Sequence, residues 1–335
     1  MIPNGIQNLG NTCFLNACIQ ILLQTFELDI LENIPIKKDT LEYHLYKEWQ
    51  LLKQTQPQSI ISPKSFIIAM HQIAQQKNRT LFTGFAQNDM PEFLLFFIDI
   101  IHTCFSSHIQ YTIHGTKKHK IDELAIQCYK MKKIYYEKDY SPLIDIFYGI
   151  SISSILSPSN SSSILSSISE PYFILDLPIC GNTIYDCLDQ YISPELLENE
   201  NAWFNEKTQQ KENVFKQITF WNFPKILIIT FKRFSSISCE QGIRLCKRME
   251  FVEFPLHGLD LSKYITGYNA SKYKYDLYGV CNHIGNVVGG HYTSFVKTKG
   301  NEWFHCDDTI IEKVENPLHI VTPIAYSLFY RCVSV

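Results

Sequence analysis

Apolar residues in the first third of the chain recur every three or four positions. Phe14, Leu15, Cys18, Ile19, Leu22 and Leu23 form one stripe in NTCFLNACIQILLQ, and Leu41, Leu45, Trp49 and Leu52 form another in LEYHLYKEWQLLKQ. A helix returns a side chain to the same face at that spacing, so both segments predict helices. SPKSFIIAMHQIAQQ predicts a third, with Ser62 as N-cap and Pro63 at the first helical position. NDMPEFLLFFIDIIHTCF predicts a fourth, capped by Asp89.

The pattern then changes. Residues 151–169 hold eleven serines interleaved with Ile and Leu. Such a composition suits a flexible linker, but the alternation at Ser151–Ile155 has the two-residue period of a strand. The expectation is a two-stranded hairpin with its tip at Pro158–Asn160. The polar stretch at 198–213 reads as a second loop or hairpin tip. KILIITFKRF, YKYDLYGVCNHI, HYTSFVKTKG, EWFHCDD and AYSLFYRCV are β-branched and aromatic runs punctuated by Gly, Asn and Asp. Helices first and strands later predict an α+β fold rather than a doubly wound sheet.

At roughly 150 residues per domain, 335 residues make one large domain or two ordinary ones. A hydrophobic fraction of 45% with 19% charged residues excludes global disorder. Lys+Arg 30 against Asp+Glu 33 gives a net charge of −3, without the dense basic surface of a nucleic-acid binder. The longest apolar runs, such as Ile226–Phe231, fall far below the roughly 18 residues of a membrane span. The N-terminus has no basic region followed by an apolar one, so no secretory signal is expected. The 11 cysteines include no C-x-x-C pair. Reduced thiols in a cytoplasmic or nuclear setting fit this better than a secreted disulfide framework. HGTKKH at 114–119 offers two histidines without a partner pair and reads as a solvated loop.

Three elements carry candidate chemistry. Cys13 stands at the predicted start of the first helix, after Gly10-Asn11-Thr12. The helix dipole and free N–H groups there favour a thiolate, the form that attacks a carbonyl; the plainer reading is a small core cysteine. His291 follows two glycines and precedes a strand, well placed for a general base; the plainer reading is a turn histidine. Asp307 lies 16 residues after His291, a spacing that suits adjacent antiparallel strands. A carboxylate there can hold the imidazole tautomer; alternatively, Asp307-Asp308 is an ordinary acidic turn. Together they supply a nucleophile, a base and an orienter, the constellation of a cysteine protease.

These segments resemble the ubiquitin-specific proteases, a family of papain-like deubiquitinases. GIQNLGNTCFLNACIQIL at 5–22 is similar to that family's cysteine box. The stretch from His283 to Val314 is similar to its histidine box. AQNDMPEFLLFFID matches the Q-x-D-x-x-E-F element, and FPKILIITFKRF matches the P-x-x-L-x-I-x-L-K-R-F strand with Phe231 where Leu is usual. FPLHGLDL and AYSLFYRC also fit. The blocks keep family order from residue 5 to residue 332 and so leave no room here for an accessory domain.

The resemblance implies one catalytic domain over 1–335: a mainly helical thumb (1–145), a β-rich fingers insertion (146–220) and a β-rich palm (221–335). It implies hydrolysis of the bond after the C-terminal glycine of ubiquitin, with a protease for a ubiquitin-like modifier or an inactive ubiquitin-binding module as alternatives. The implied partners are ubiquitin, ubiquitinated proteins and polyubiquitin chains, not nucleic acid or membrane, and the implied state is a monomer. Cys13, His291 and Asp307 match the triad, and Asn8 matches the oxyanion-stabilising side chain. Asp308 is a second candidate for the polarising role, and the division between the two aspartates is open. Asp89 and Glu92 read locally as a capping box and, by resemblance, as contacts to the basic ubiquitin tail. Gly289 and Gly290 fall where the family's substrate channel narrows, and Tyr292 is a further substrate-binding candidate. The zinc-binding C-x-x-C pairs of many members are missing near Ser157–Asn160 and Asn205–Thr208, and Cys180, Cys187, Cys239 and Cys246 are spaced wrongly to replace them. No metal or cofactor is expected.

Overall fold

The predicted stripes pack against one another. A computed structural model describes residues 2–54, 59–84, 86–239, 242–286 and 289–333. Its helices are α1 (Cys13–Leu23), α2 (Leu41–Lys53), α3 (Lys64–Gln76), α4 (Met90–Phe105), α5 (Lys120–Tyr136), α6 (Pro142–Phe147) and α7 (Ile184–Ile192). α1 is apolar almost all round, and ten of its residues are buried at the centre of the helical half. Edge-on and tilted rings join the bundle: Phe14 to Phe93 at 5.6 Å between centroids, and Trp49 to Phe97 at 5.4 Å. Among the described residues no single helix is long and apolar enough to cross a membrane.

Two helix starts differ from the sequence reading. α3 begins at Lys64, with Pro63 in the cap position and its carbonyl accepting from Ile67 N–H at 2.9 Å. α5 occupies a segment that the pattern left unassigned, and His119 of the HGTKKH stretch caps it. The Asp122 carboxylate accepts from the His119 N–H at 2.7 Å, closing a capping box. The buried face of α5 is Ala125, Cys128 and Met131, with Ile121 and Leu124 partly buried beside them, and it packs on Ile150, Ile152 and Trp221.

The later strands form an eight-stranded sheet. Its main path runs Ile310–Lys313, Trp303–Asp307, Gly290–Lys297, Lys274–Gly285, Ala325–Cys332, Ile226–Phe231 and Ile174–Leu177. All neighbours are antiparallel except the last pair. Ile226–Phe231 is buried throughout. Ile226 and Ile228 face the helical half, while Leu227, Ile229 and Phe231 face a second core containing α7. A strand covered on both faces reads as a continuous apolar run rather than an alternation.

The serine-rich segment is a hairpin. Gly149–Ser157 pairs antiparallel with Asn160–Tyr172, turning at Pro158–Ser159, and joins Val214–Asn222 and Glu195–Leu197 in a four-stranded sheet. Trp203–Asn205 and Gln210–Glu212 form a separate small hairpin. The stretch 146–220 is not one unit, however. Ile174–Leu177 pairs with Ile228–Phe231 in the large sheet, and α7 packs with that sheet's second core. Cys180 and Cys187 are neighbours, with the Cys187 thiol donating to the Cys180 carbonyl at 3.3 Å, and Cys246 lies on the strand Gly242–Lys247. The Cys239 side chain lies outside the described residues.

Candidate active site

Cys13 is the first residue of α1 and is 3% exposed. Gly10 (φ 104°) and Asn11 (φ 53°) both lie in the left-handed region, which turns the chain sharply into the helix. The Asn8 side chain organises that turn. Its Oδ1 accepts from the N–H groups of Gly10 and Thr12, each at 3.1 Å, and from Thr12 Oγ1 at 3.2 Å. Burial pushes the Cys13 thiol above its ordinary value. Backbone hydrogen bonds from Tyr292, Phe14 and Cys13 itself pull the other way, and the Asp308 charge adds to the rise. At this thiol burial and the N–H groups at the helix start therefore act in opposite directions.

His291 opens the strand Gly290–Lys297, paired antiparallel with Trp303–Asp307 through Ser294 opposite Cys306. Its Nε2 lies 2.6 Å from Asp307 Oδ1. A carboxylate only accepts, so Nε2 carries the proton and Nδ1 is left as the basic nitrogen. Cys13 and His291 come close through the backbone, since Tyr292, bonded to the Cys13 sulfur, directly follows His291.

Asp308 has a different role from Asp307. At φ 50° it leaves the strand, and its carboxylate turns toward α1. Oδ2 accepts from Asn8 Nδ2 at 2.9 Å, and Oδ1 accepts from Asn16 Nδ2 at 2.7 Å. Its carbonyl also accepts from the Ile6 N–H at 2.7 Å. Asp308 thus ties the Asn8 turn and α1 to the end of the Asp307 strand. One Asn8 amide N–H is committed to Asp308; the second remains for another acceptor. Sequence reasoning missed Asn16, which is 2% exposed on an otherwise apolar helix. A buried amide needs partners, and that mismatch was the available signal.

Two pockets meet at Asp89 and Phe234, one lined by Gln87, Gly289 and Gly290 and the other by Glu92, Phe231 and Tyr326, and together they form a groove beside the site. Asp89 precedes α4 but makes no side-chain cap bond, which corrects the capping-box reading. Its oxygens accept instead from the Tyr292 hydroxyl at 2.9 Å and the Tyr326 hydroxyl at 3.2 Å. Burial raises the Asp89 carboxyl above the usual range, opposed by these hydroxyls. Glu92 is exposed on the first turn of α4. Tyr292 is buried, so its hydroxyl addresses Asp89 rather than open solvent. A side chain on Gly290 would place Cβ 2.3 Å from the Ile284 carbonyl oxygen and 2.4 Å from His283 Nε2; one on Gly289 would meet, among the described residues, Gln87 Oε1 at 3.2 Å. Gly290 is therefore required by local packing, independently of any channel. Two further residues emerge here. Gln87 bonds the Gly290 backbone, and Tyr326 completes the Asp89 shell.

Among the described residues, the ligand-capable atoms of His291, Asp307 and Asp308 lie within 4.8 Å of one another. Asp307 is already engaged with the imidazole, and both Asp308 oxygens accept amides. The chemistry this arrangement supports unaided is proton transfer between a buried thiol and an oriented imidazole, next to a groove for an extended chain.

The chain as a whole is similar to known proteins. The family profile described as ubiquitin carboxyl-terminal hydrolase matches residues 4–330. Ubiquitin carboxyl-terminal hydrolase 2 of Homo sapiens is 30% identical over 349 residues, covering 98% of this chain and 55% of that protein. A probable ubiquitin carboxyl-terminal hydrolase of Acanthamoeba polyphaga mimivirus is 33% identical over 219 residues, covering 62% of this chain and 45% of that protein. The chain thus spans about half the length of curated relatives it matches. Among solved structures, a yeast SAGA deubiquitinating module superposes with a TM-score of 0.73 at 21% identity, covering 99% of this chain and 69% of that chain. A SAGA module bound to monoubiquitin gives a TM-score of 0.72 at 22% identity, with the same coverage. The α+β architecture is therefore that of the papain-like deubiquitinases, and the chain belongs to the ubiquitin carboxyl-terminal hydrolase family.

Proposed function

We propose that this chain is a cysteine-type deubiquitinase that hydrolyses the peptide or isopeptide bond after the C-terminal glycine of ubiquitin. The observation that carries the reading is the His291–Asp307 pair at 2.6 Å, beside a helix-start cysteine whose sulfur meets the backbone of the residue after His291. Family membership and the SAGA module bound to monoubiquitin support ubiquitin as the substrate. Those similar structures are multi-subunit assemblies and lend no support to a monomer.

In this reading residues 1–145, 146–220 and 221–335 carry thumb, fingers and palm, except that Ile174–Leu177 and α7 of the middle stretch join the palm sheet and its core, and the tail of ubiquitin passes Asp89, Glu92, Gly289 and Gly290. Nδ1 of His291 takes the Cys13 proton, and the thiolate attacks the terminal glycine carbonyl. The oxyanion is held by the uncommitted Asn8 N–H and backbone N–H of Cys13. The imidazolium, steadied by Asp307, gives its proton to the departing lysine amine. The thioester left on Cys13 is hydrolysed by water that His291 activates.

The test is labelling by ubiquitin bearing a C-terminal thiol-reactive group, with a matched ubiquitin-like probe alongside. One ubiquitin added to wild type and none to Cys13→Ala is the expected result. Labelling by the ubiquitin-like probe alone moves the activity to that modifier. Binding without labelling by either probe overturns the enzymatic reading.

A further inference from the structure

His291 is held from both sides by one short segment on the other half of the molecule. Gly290, just before it, is bonded through both backbone groups to the Gln87 amide: Gln87 Nε2 donates to the Gly290 carbonyl, and the Gly290 N–H donates to Gln87 Oε1 at 3.0 Å. Tyr292, just after it, donates its hydroxyl to Asp89 at 2.9 Å. Gln87 and Asp89 are two residues apart, immediately before α4. That helix is fixed to the cysteine helix by the Phe14–Phe93 contact, one residue from Cys13.

Gly285 at φ 117° and hydrogen bonds between Asn286 and Gly289 lie at the turn before His291, and Gly290 and His291 pair with Gly285 and Ile284 in the ladder. A Cβ on Gly290 would meet the Ile284 carbonyl at 2.3 Å and the His283 ring at 2.4 Å, so this glycine's backbone runs close to both. The Gln87 amide is the one side chain among the described residues seen to bond both peptide groups of this residue.

We infer that Gln87 is a positioning residue: by gripping Gly290 while Asp89 grips Tyr292, it sets the reach of His291 toward Cys13 and couples the substrate groove to the general base. The inference rests on the deubiquitinase reading above. The groove that would receive the ubiquitin tail is lined by Gln87 and Asp89 themselves. A chain seated there presses on the same two side chains that hold the base. A misplacement of about 1 Å at a reacting group costs about 10²-fold in rate, so a loosened grip shows in turnover before it shows in binding.

The chemistry of Gln87 gives a signature that a filler residue lacks. In Gln87→Glu, Oε1 still accepts from the Gly290 N–H, but the ionised carboxylate faces the Gly290 carbonyl without a proton to donate. Protonation restores the donor, so the acid form mimics glutamine. The activity of Gln87→Glu relative to wild type should therefore rise as pH falls. A residue that merely bound the basic tail of ubiquitin would give the opposite sign, since a carboxylate there attracts the tail most when ionised.

The experiment is steady-state cleavage of ubiquitin carrying a C-terminal fluorogenic amine by wild type, Gln87→Ala and Gln87→Glu, across pH. Expected are a kcat about 10- to 100-fold lower for Gln87→Ala with KM changed less than about threefold, and partial acid rescue of Gln87→Glu. A rise in KM at unchanged kcat, or a Gln87→Glu ratio independent of pH, overturns the inference. Peptide-resolved mass spectrometry of Cys13 alkylation by iodoacetamide is run on the same proteins without ubiquitin. It reads the cysteine–imidazole pairing directly. If wild type proves inactive on ubiquitin, the functional reading falls, yet slower Cys13 alkylation in Gln87→Ala still supports the clamp, and equal alkylation overturns it.

Discussion

His291 meets Asp307 through Nε2, at 2.6 Å, and this fixes which ring nitrogen serves Cys13. Asp308, the adjacent residue, touches the Asn8 and Asn16 amides instead. The two aspartates therefore fail differently. Asp307→Ala removes the acceptor that holds the tautomer, and kcat should fall by about 10²–10⁴-fold with folding preserved. Asp308→Ala leaves the buried Asn16 amide short of its shortest hydrogen bond, so it should also lower the thermal midpoint. Rate measurements and thermal melts on both variants check this. Equal losses of stability would contradict the division of roles.

Asn8 combines a structural and a chemical task. Its Oδ1 holds the turn before Cys13, and its Nδ2 has one N–H to spare after Asp308. Asn8→Ala should cost about 10²–10³ in kcat, the usual loss for an oxyanion donor. Probe labelling should slow by a similar factor in Asn8→Ala, while KM for a ubiquitin substrate stays close to wild type.

His283 makes acid stability measurable. It is 4% exposed and packs against Tyr292 at 4.7 Å between ring centroids. Burial, aided by the Lys247 charge, pushes its imidazole down from 6.5 to about 4. The unfolded chain then binds the proton more readily than the folded one. Stability is full above about pH 6.5 and is lost as pH falls toward 4, by on the order of 3 kcal/mol. Urea midpoints measured from pH 7 to 4 should fall less steeply for His283→Gln than for wild type. The difference of slopes is the readout, since the substitution also changes packing.

The two glycines of the turn separate packing from substrate entry. Gly290→Ala puts Cβ within 2.4 Å of both the Ile284 carbonyl and the His283 ring, so it should melt several degrees lower and lose activity. Among the described residues Gly289→Ala meets Gln87 Oε1 alone, at 3.2 Å, and should fold normally. If the ubiquitin tail passes this residue, KM should rise in Gly289→Ala while alkylation of Cys13 by a small reagent stays unchanged.

Legibility varied with how local each cause was. The hairpin at Ser151–Tyr172 was readable because a two-residue alternation and a Pro-Ser turn are local facts, and its core side is simply the set of alternate residues. α5 was not, because its short apolar face (Ile121, Leu124, Ala125, Cys128, Met131) sits among charged residues and finds its cover, Ile150, Ile152 and Trp221, on distant strands. The catalytic candidates were visible as isolated Cys, His and Asp with suitable neighbours. The capping reading of Asp89 failed because the competing partners, Tyr292 and Tyr326, lie more than two hundred residues away.

The sequence alone determined the order of helices and strands, the nucleophile, base and orienter candidates, and the family resemblance, since each rests on neighbouring residues and fixed spacings. Tertiary structure decided which aspartate meets the imidazole, that burial opposes the N–H groups of the helix start at Cys13, and that Gln87 grips the backbone beside His291. Those outcomes are set by burial and by distances between segments far apart in the chain. Both arise only when the large sheet closes against α1 and α4 and excludes water from the space between them.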